Sequence, residues 1–397
     1  MLKEKIKQLS SEYLEEIIAV RRHLHAHPEL SFEEHNTSKF ICQKLDEYKI
    51  PYTKGIVKTG IVALIEGKNA AKKCIALRAD IDALPIQETN KVSYCSINNG
   101  VMHACGHDVH TASLLGAAKI LSELKTEFEG TIKLIFQPGE EKLPGGASLM
   151  IKEGVLNNPK VNSIYGQHVF PSLTAGKVGF RKGMYMASTD EIYLKIIGKG
   201  GHAAMPNTYN SPLLVSSKIL LALNNYFMEE KLKQTPNIPT VLAFGNIIGK
   251  GATNVIPDEV NIEGTFRTFD EKWRKEAHQI IKSISETIAI ENNAKCEVKI
   301  ESGYPFLTND EILTQNAITK AQEFLGNENV IDLDLRMTAE DFSYYTQQIQ
   351  GCFYRLGTAS TNGENAQNVH TSNFNIDENA LKTGMGLMAW LAINPIQ

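Results

Sequence analysis

Thr131-Ile132-Lys133-Leu134-Ile135-Phe136-Gln137-Pro138-Gly139-Glu140-Glu141 reads as a buried strand that stops at a proline and a glycine and ends on two carboxylates. A nearly continuous apolar run of this length marks a strand covered on both faces, as in parallel sheets. Neighbouring side chains on extended backbone diverge, so one carboxylate can hold a metal while the other faces a metal-bound water. Upstream, Met102-His103-Ala104-Cys105-Gly106-His107-Asp108-Val109-His110 packs thiol and imidazole donors around a glycine just ahead of a helix. Thiolate and imidazole bind zinc and its neighbours, and a Cys-x-His pair at a strand-to-helix turn directs both donors at one point. A single His or Cys is usually packed or solvated. Here Cys105, His107, Glu140, Glu141, His168 in Tyr165-Gly166-Gln167-His168-Val169 and His370 in Asn368-Val369-His370-Thr371 gather several ligand types next to predicted strand ends.

Around this core the pattern alternates. Residues 3–26 have helical periodicity and stop at Pro28, and a second amphipathic helix covers 37–48. Apolar strands follow at 60–66 and 74–79, then a buried Ala/Leu-rich helix over 111–124. Strands alternating with helices predict an α/β layer, a central sheet flanked by helices, with active groups beyond the strand ends. Near residue 184 the rhythm changes. Strand 191–198, helix 212–228, strands 240–249 and 260–269, helix 270–291 and strand 295–302 give the order βαββαβ of a ferredoxin-like two-layer sandwich. The expected division is 1–185 and 303–397 as the two parts of a catalytic domain and 186–302 as an inserted lid or dimerisation domain. Hinges are expected near 183–187 and 302–306, with helices resuming near 310–325 and 378–393.

A chain of 397 residues exceeds one ordinary core. Apolar content of 42% and charged content of 22% are those of a folded globular protein. A net charge of -4 offers no electrostatic case for nucleic acid or a membrane surface, so the expected partner is a small molecule. The start lacks the apolar core of a signal peptide, and the six cysteines are scattered without a close-spaced framework. Both features predict a cytoplasmic protein with reduced thiols.

The motifs, in order, resemble the M20 metallopeptidases, in the branch of hippurate, N-acetyldiaminopimelate and auxin-conjugate amidohydrolases. The resemblance runs nearly end to end. It is carried by Arg22-His23-Leu24-His25 with Pro28-Glu29-Leu30, Leu77-Arg78-Ala79-Asp80-Ile81-Asp82-Ala83-Leu84-Pro85, the Met-His-Ala-Cys-Gly-His-Asp run and the Glu-Glu pair. Gly200-Gly201-His202-Ala203-Ala204-Met205-Pro206, Thr253-Asn254-Val255-Ile256-Pro257, Gly264-Thr265-Phe266-Arg267 and Ala339-Glu340-Asp341-Phe342 complete it. It implies two divalent metal ions held by Cys105, His107, Glu141, His168 and His370, with Glu140 as general base. Zinc, manganese, cobalt and nickel all tolerate such mixed ligation. Two departures from the usual pattern are Gly139, where the family has alanine, and the loop Lys142-Leu143-Pro144, where it has a glycine run.

The chemistry expected is amide hydrolysis of N-acyl amino acids by attack of a metal-bound water on the carbonyl. His202 is suited to donate to the developing oxyanion, from its own chain or from a neighbouring subunit, since several relatives pair through their smaller domains. Asp80 is expected to fix a ligand imidazole, with Asp82 less defined, and His103 and His110 are expected to be packing residues. Arg267 and Asn254 are expected to hold a substrate carboxylate, although a strand-end Arg also commonly bridges surface acids. Glu340 and Asp341 are expected to start a helix, where carboxylates complement the dipole, with lining of the cleft as the alternative for this segment. Competing readings are a dipeptidase or carboxypeptidase of the same fold, a thiol hydrolase using Cys105, and a noncatalytic metal-binding scaffold.

Overall fold

The N-terminal segment forms two helices rather than one, α1 (Leu2–Glu12) and α2 (Leu14–Ala26). Ser10 and Ser11 donate their hydroxyls to the carbonyls of Ile6 and Lys7, a back-bonding pattern that bends helices. The amide of Tyr13 still bonds Leu9 O, and Tyr13 O accepts from Ile17 N, so the apolar stripe runs through the break. This computed structural model describes residues 1–230, 238–360 and 367–394.

After α3 (His35–Glu47) come β1 (Tyr52–Ile56), β2 (Gly60–Glu66), β3 (Cys74–Asp80), α4 (His107–Glu123), β4 (Thr131–Gln137), α5 (Gly146–Lys152), β5 (Ser163–Thr174) and β6 (Val178–Phe180). Every residue of β3 and β4 is buried, as their continuous apolar runs require. Lys133 is tolerated inside β4 because its ammonium donates to the carbonyls of Val155, Asn157 and Pro159 at 2.7–2.9 Å.

The next elements are β7 (Asp190–Ile197), α6 (Pro212–Asn224), β8 (Thr240–Ile248), β9 (Glu259–Thr268), α7 (Glu271–Glu291) and β10 (Lys295–Ser302). They form an antiparallel sheet in the order β8-β9-β7-β10, the ferredoxin-like arrangement expected from the sequence. Its core includes Ile192, Leu194, Ile196, Ile262, Phe266 and Trp273, and Asp270 caps α7 by accepting from Trp273 N at 2.6 Å.

The chain then adds α8 (Glu311–Leu325), β11 (Val330–Asp332), β12 (Gln350–Ala359) and α9 (Ala380–Ile393). The large sheet has the order β1-β2-β4-β3-β5-β12-β6-β11. Strand β3 is parallel to β4 and β5, and β12 is parallel to β5. Contacts divide the chain into one unit of Met1–Tyr185, Thr308–Leu335 and Asp341–Gln397, and another of Met186–Leu307 and Arg336–Glu340. The short segment Arg336–Glu340 joins the second unit because Ala187 N donates to the carbonyls of Arg336 and Thr338. Among the described residues no helix is long and apolar enough to cross a membrane.

Candidate metal centre

Helix α4 begins at His107 instead of Thr111, so two imidazoles sit on its first turn. Gly106 caps it at φ 83°, and a Cβ there would lie 2.6 Å from the Val169 side chain. Only glycine fits both constraints. Cys105 therefore lies just outside the helix end, Glu140 and Glu141 just past β4, and His168 within β5. His370 adopts φ 63°, and its amide donates to Ala104 O at 2.7 Å, pinning it beside the Cys-Gly-His turn.

Four chain segments thereby converge. Cys105 Sγ is 3.4 Å from His168 Nε2 and 3.3 Å from His370 Nε2, which is 3.2 Å from Glu141 Oε1. Donor atoms of Cys105, His107 and His168 lie within 4.8 Å of one another, as do those of Cys105, Glu141 and His370. Cys105 belongs to both triads. Glu140 stands with His107 and Glu141 at the same separation. The Nε2 atom of His107 is buried with no hydrogen-bond partner among the described residues, the state of a nitrogen reserved for a ligand.

Both carboxylates at and just beyond the end of β3 reach His107. Its Nδ1 lies 3.1 Å from Asp82 Oδ1 and 2.9 Å from Asp82 O, and its Nε2 lies 3.8 Å from Asp80 Oδ2. Asp82 Oδ2 also accepts from Ser31 Oγ and from Glu141 N, so one carboxylate holds a donor ring and the backbone of a second donor. Asp80 Oδ1 instead meets Nδ1 of His110, whose Nε2 accepts from Val169 N.

Burial alone would raise Asp80, but Arg78 first, and then His107 and His110, hold it well below the usual carboxylate range. Burial pushes the Cys105 thiol up, and Glu141 adds to this. Hydrogen bonds to Cys105 and Glu141 raise His370 to about 10. Burial lowers His168 well below its ordinary value, with Arg355 contributing, so this ring is neutral and its lone pair is available. The departure at Gly139 also has a cause. Its φ is 61°, and a Cβ would sit 2.4 Å from the Phe32 ring, so alanine does not fit here unless Phe32 moves.

In the second unit His202 pairs with Val255 in a short antiparallel bridge, and Ala203 N donates to Asn254 O. The His202 Nδ1 accepts from Ala204 N at 3.1 Å, which leaves the proton on Nε2. Asn254 is exposed. Arg267, near the end of β9, donates to Met337 O at 3.0 Å and has no carboxylate partner among the described residues. The surface-acid reading of Arg267 therefore loses its support. Asp341 does not cap a helix through its side chain; it is fully buried and its carboxylate accepts from Arg78, Gln137 and Ala147 N.

The model of peptidase family M20/M25/M40 matches residues 76–394. An N-acetyl-L-cysteine deacetylase of Bacillus subtilis is 39% identical over 381 residues, covering 96% of this chain and 88% of its own. An N-acyl-L-amino acid amidohydrolase of Geobacillus stearothermophilus is 41% identical over 312 residues, covering 78% of this chain and 83% of its own. The crystal structure of a dinuclear metal-binding peptidase of the M20 family from Bacillus subtilis superposes with a TM-score of 0.83 at 35% identity, covering 96% of this chain and 98% of that one. The chain belongs to peptidase family M20/M25/M40 and is a metal-dependent hydrolase of amide bonds.

Proposed function

We propose that this enzyme removes the acyl group from N-acyl amino acids, with two divalent ions held by Cys105, His107, His168, Glu141 and His370. The observation that carries this reading is the pair of donor triads sharing Cys105 beside Glu140. The donor set fits: a thiolate, imidazoles and a carboxylate suit zinc, manganese, cobalt or nickel, and the buried Nε2 of His107 makes no hydrogen bond among the described residues. Once bound, the ions supply Lewis-acid polarisation and lower the pKa of water from about 15.7 towards about 7. Glu140 takes the proton of the attacking water and returns it to the departing amine nitrogen. Asp82 holds the His107 ring and the Glu141 amide in place. His202 donates from Nε2 to the carbonyl oxygen as charge grows there. The direct test reconstitutes the protein with each metal and supplies N-acetyl, N-benzoyl and indole-acetyl amino acids, with free amine release as the readout. Release from none of them, with the ions bound, would overturn the substrate class.

Arg267 is the proposed anchor for the substrate's α-carboxylate, supported by Asn254, because a half-buried guanidinium without an acidic partner is ready for a bidentate anion. Esterifying that carboxylate, or making Arg267→Ala, is expected to lower kcat/KM by about 100-fold, since a charged hydrogen-bonded pair contributes about 1.5–3 kcal/mol. Steady-state kinetics on matched acid and ester substrates check it. Equal efficiencies would remove Arg267 from the substrate site.

A homodimer through the second unit is also proposed. Strand β8 is a sheet edge with Ile247 and Ile248 52% and 41% exposed, and α6 exposes Leu214 and Leu221 at 67% and 64%. Long apolar edges invite a second strand. Ile247→Glu is expected to turn a dimer into a monomer by light scattering while leaving the fold intact. A wild-type protein that is monomeric at micromolar concentration would dismiss the interface.

A further inference from the structure

We infer that Asp341 is a positioning residue for the loop that carries Glu140 and Glu141, an inference that rests on Glu140 being the general base. The loop leaves β4 at Gln137 and enters α5 at Gly146, and one carboxylate holds both its ends. At the start, Gln137 Nε2 lies 2.9 Å from Asp341 Oδ1 and 2.8 Å from Oδ2. At the exit, Ala147 N donates to Asp341 Oδ2 at 2.9 Å. Arg78 locks the clamp, its Nη2 donating to Asp341 Oδ1 at 2.7 Å and its Nε to Gln137 Oε1 at 2.9 Å. Within the loop, Gly146 N closes on Gly139 O at 2.9 Å. The backbone N–H of Asp341 itself points at Glu140 Oε1, 3.5 Å away.

A carboxylate serving only to neutralise Arg78 would need neither the amide of Ala147 nor the amide group of Gln137. Asp80 already faces that guanidinium through Arg78 Nη1. All three side chains, Arg78, Gln137 and Asp341, are completely buried, so the clamp is not screened by water. Each Asp341 oxygen makes two of these contacts, and the donors are three hydrogen-bearing nitrogens, Arg78 Nη2, Gln137 Nε2 and Ala147 N. Asparagine keeps the shape but sets an NH2 against a donor on one side. That opens either the Arg78 lock or the Ala147 end while leaving every proposed metal ligand untouched.

The test uses Asp341→Asn in the full chain, with Glu140→Gln in parallel. In the metal-free protein, amides of residues 138–147 are expected to exchange hydrogen about 10-fold faster than in wild type, with α9 and β10 unchanged. In the metal-loaded enzyme, kcat is expected to fall about 100-fold with KM within about twofold, the split that a misplaced catalytic group produces. If Glu140→Gln turns over at a near-native rate, the base assignment fails whatever Asp341 does. If Glu140→Gln is inactive but Asp341→Asn keeps native kcat or native loop exchange, the positioning role fails. Should Asp341→Asn not fold, Gln137→Met removes the entry-side donors and leaves the pair with Arg78. It is expected to shift exchange and kcat in the same direction by smaller factors, and native values for both would overturn the proposal.

Discussion

Glu140→Gln is expected to lower kcat by about 10³-fold or more while the protein keeps its bound ions, since one group both accepts the water proton and delivers it to nitrogen. A loss of that size is about 4 kcal/mol of transition-state stabilisation. Glutamine fills the same space, and Glu140 is nearly buried, with Asp341 N directed at its Oε1, so the exchange removes basicity with little change of shape. The expected signature is a fall in kcat with KM nearly constant and metal content unchanged by elemental analysis. Added metal must not restore the rate. Near-native turnover in this variant would transfer the base role elsewhere, and a loss of metal would recast Glu140 as a ligand.

The parts of the fold that were readable from the sequence are those whose burial is uniform. Strands β3 and β4 are buried throughout and hold the apolar runs Cys74–Leu77 and Leu134–Phe136, and β7 alternates buried residues with exposed or half-buried ones, the two patterns that periodicity detects. By contrast β5 carries Gln167 and His168 in its middle, and β12 carries Arg355, all buried. Polar side chains placed there for the site break the apolar signal of the strands that hold them. The donor types at the centre were legible because Cys105 and His107 cluster around a glycine at the start of α4 and the paired glutamates follow a proline and a glycine past the end of β4. The supporting carboxylates were less so. Asp80 and Asp82 share one side of an extended chain, and His107 and His110 share one face of a helix, so spacing alone permits either pairing. Asp341 stands in the Ala339-Glu340-Asp341-Phe342 motif, but its clamping role had no local signal, since the three donors Arg78, Gln137 and Ala147 come from β3, β4 and α5, which are remote in sequence and meet only in three dimensions.

Glu141→Ala is expected to raise the dissociation constant of one ion by at least about 100-fold, more than the 10–100-fold typical of losing a group that only orients a ligand. The triad of Cys105, Glu141 and His370 would lose its carboxylate, whereas Cys105, His107 and His168 would remain complete. Metal content should therefore fall from two ions per chain towards one, and turnover should fall with it and recover partly in excess metal, unlike Glu140→Gln. The pH dependence has a definite sign. Without metal, His370 is raised to about 10 and burial keeps the Cys105 thiol protonated, so at neutral pH both must shed protons to ligate. Metal binding accordingly releases protons and tightens as pH rises, which calorimetry in buffers of different ionisation enthalpy measures directly. The same protonated, buried thiol is a poor nucleophile on its own, and chelation separates the two chemistries. Stripping the ions should silence the enzyme, whereas a thiol hydrolase would keep working, and activity that survives complete metal removal would overturn the metal centre as the source of catalysis.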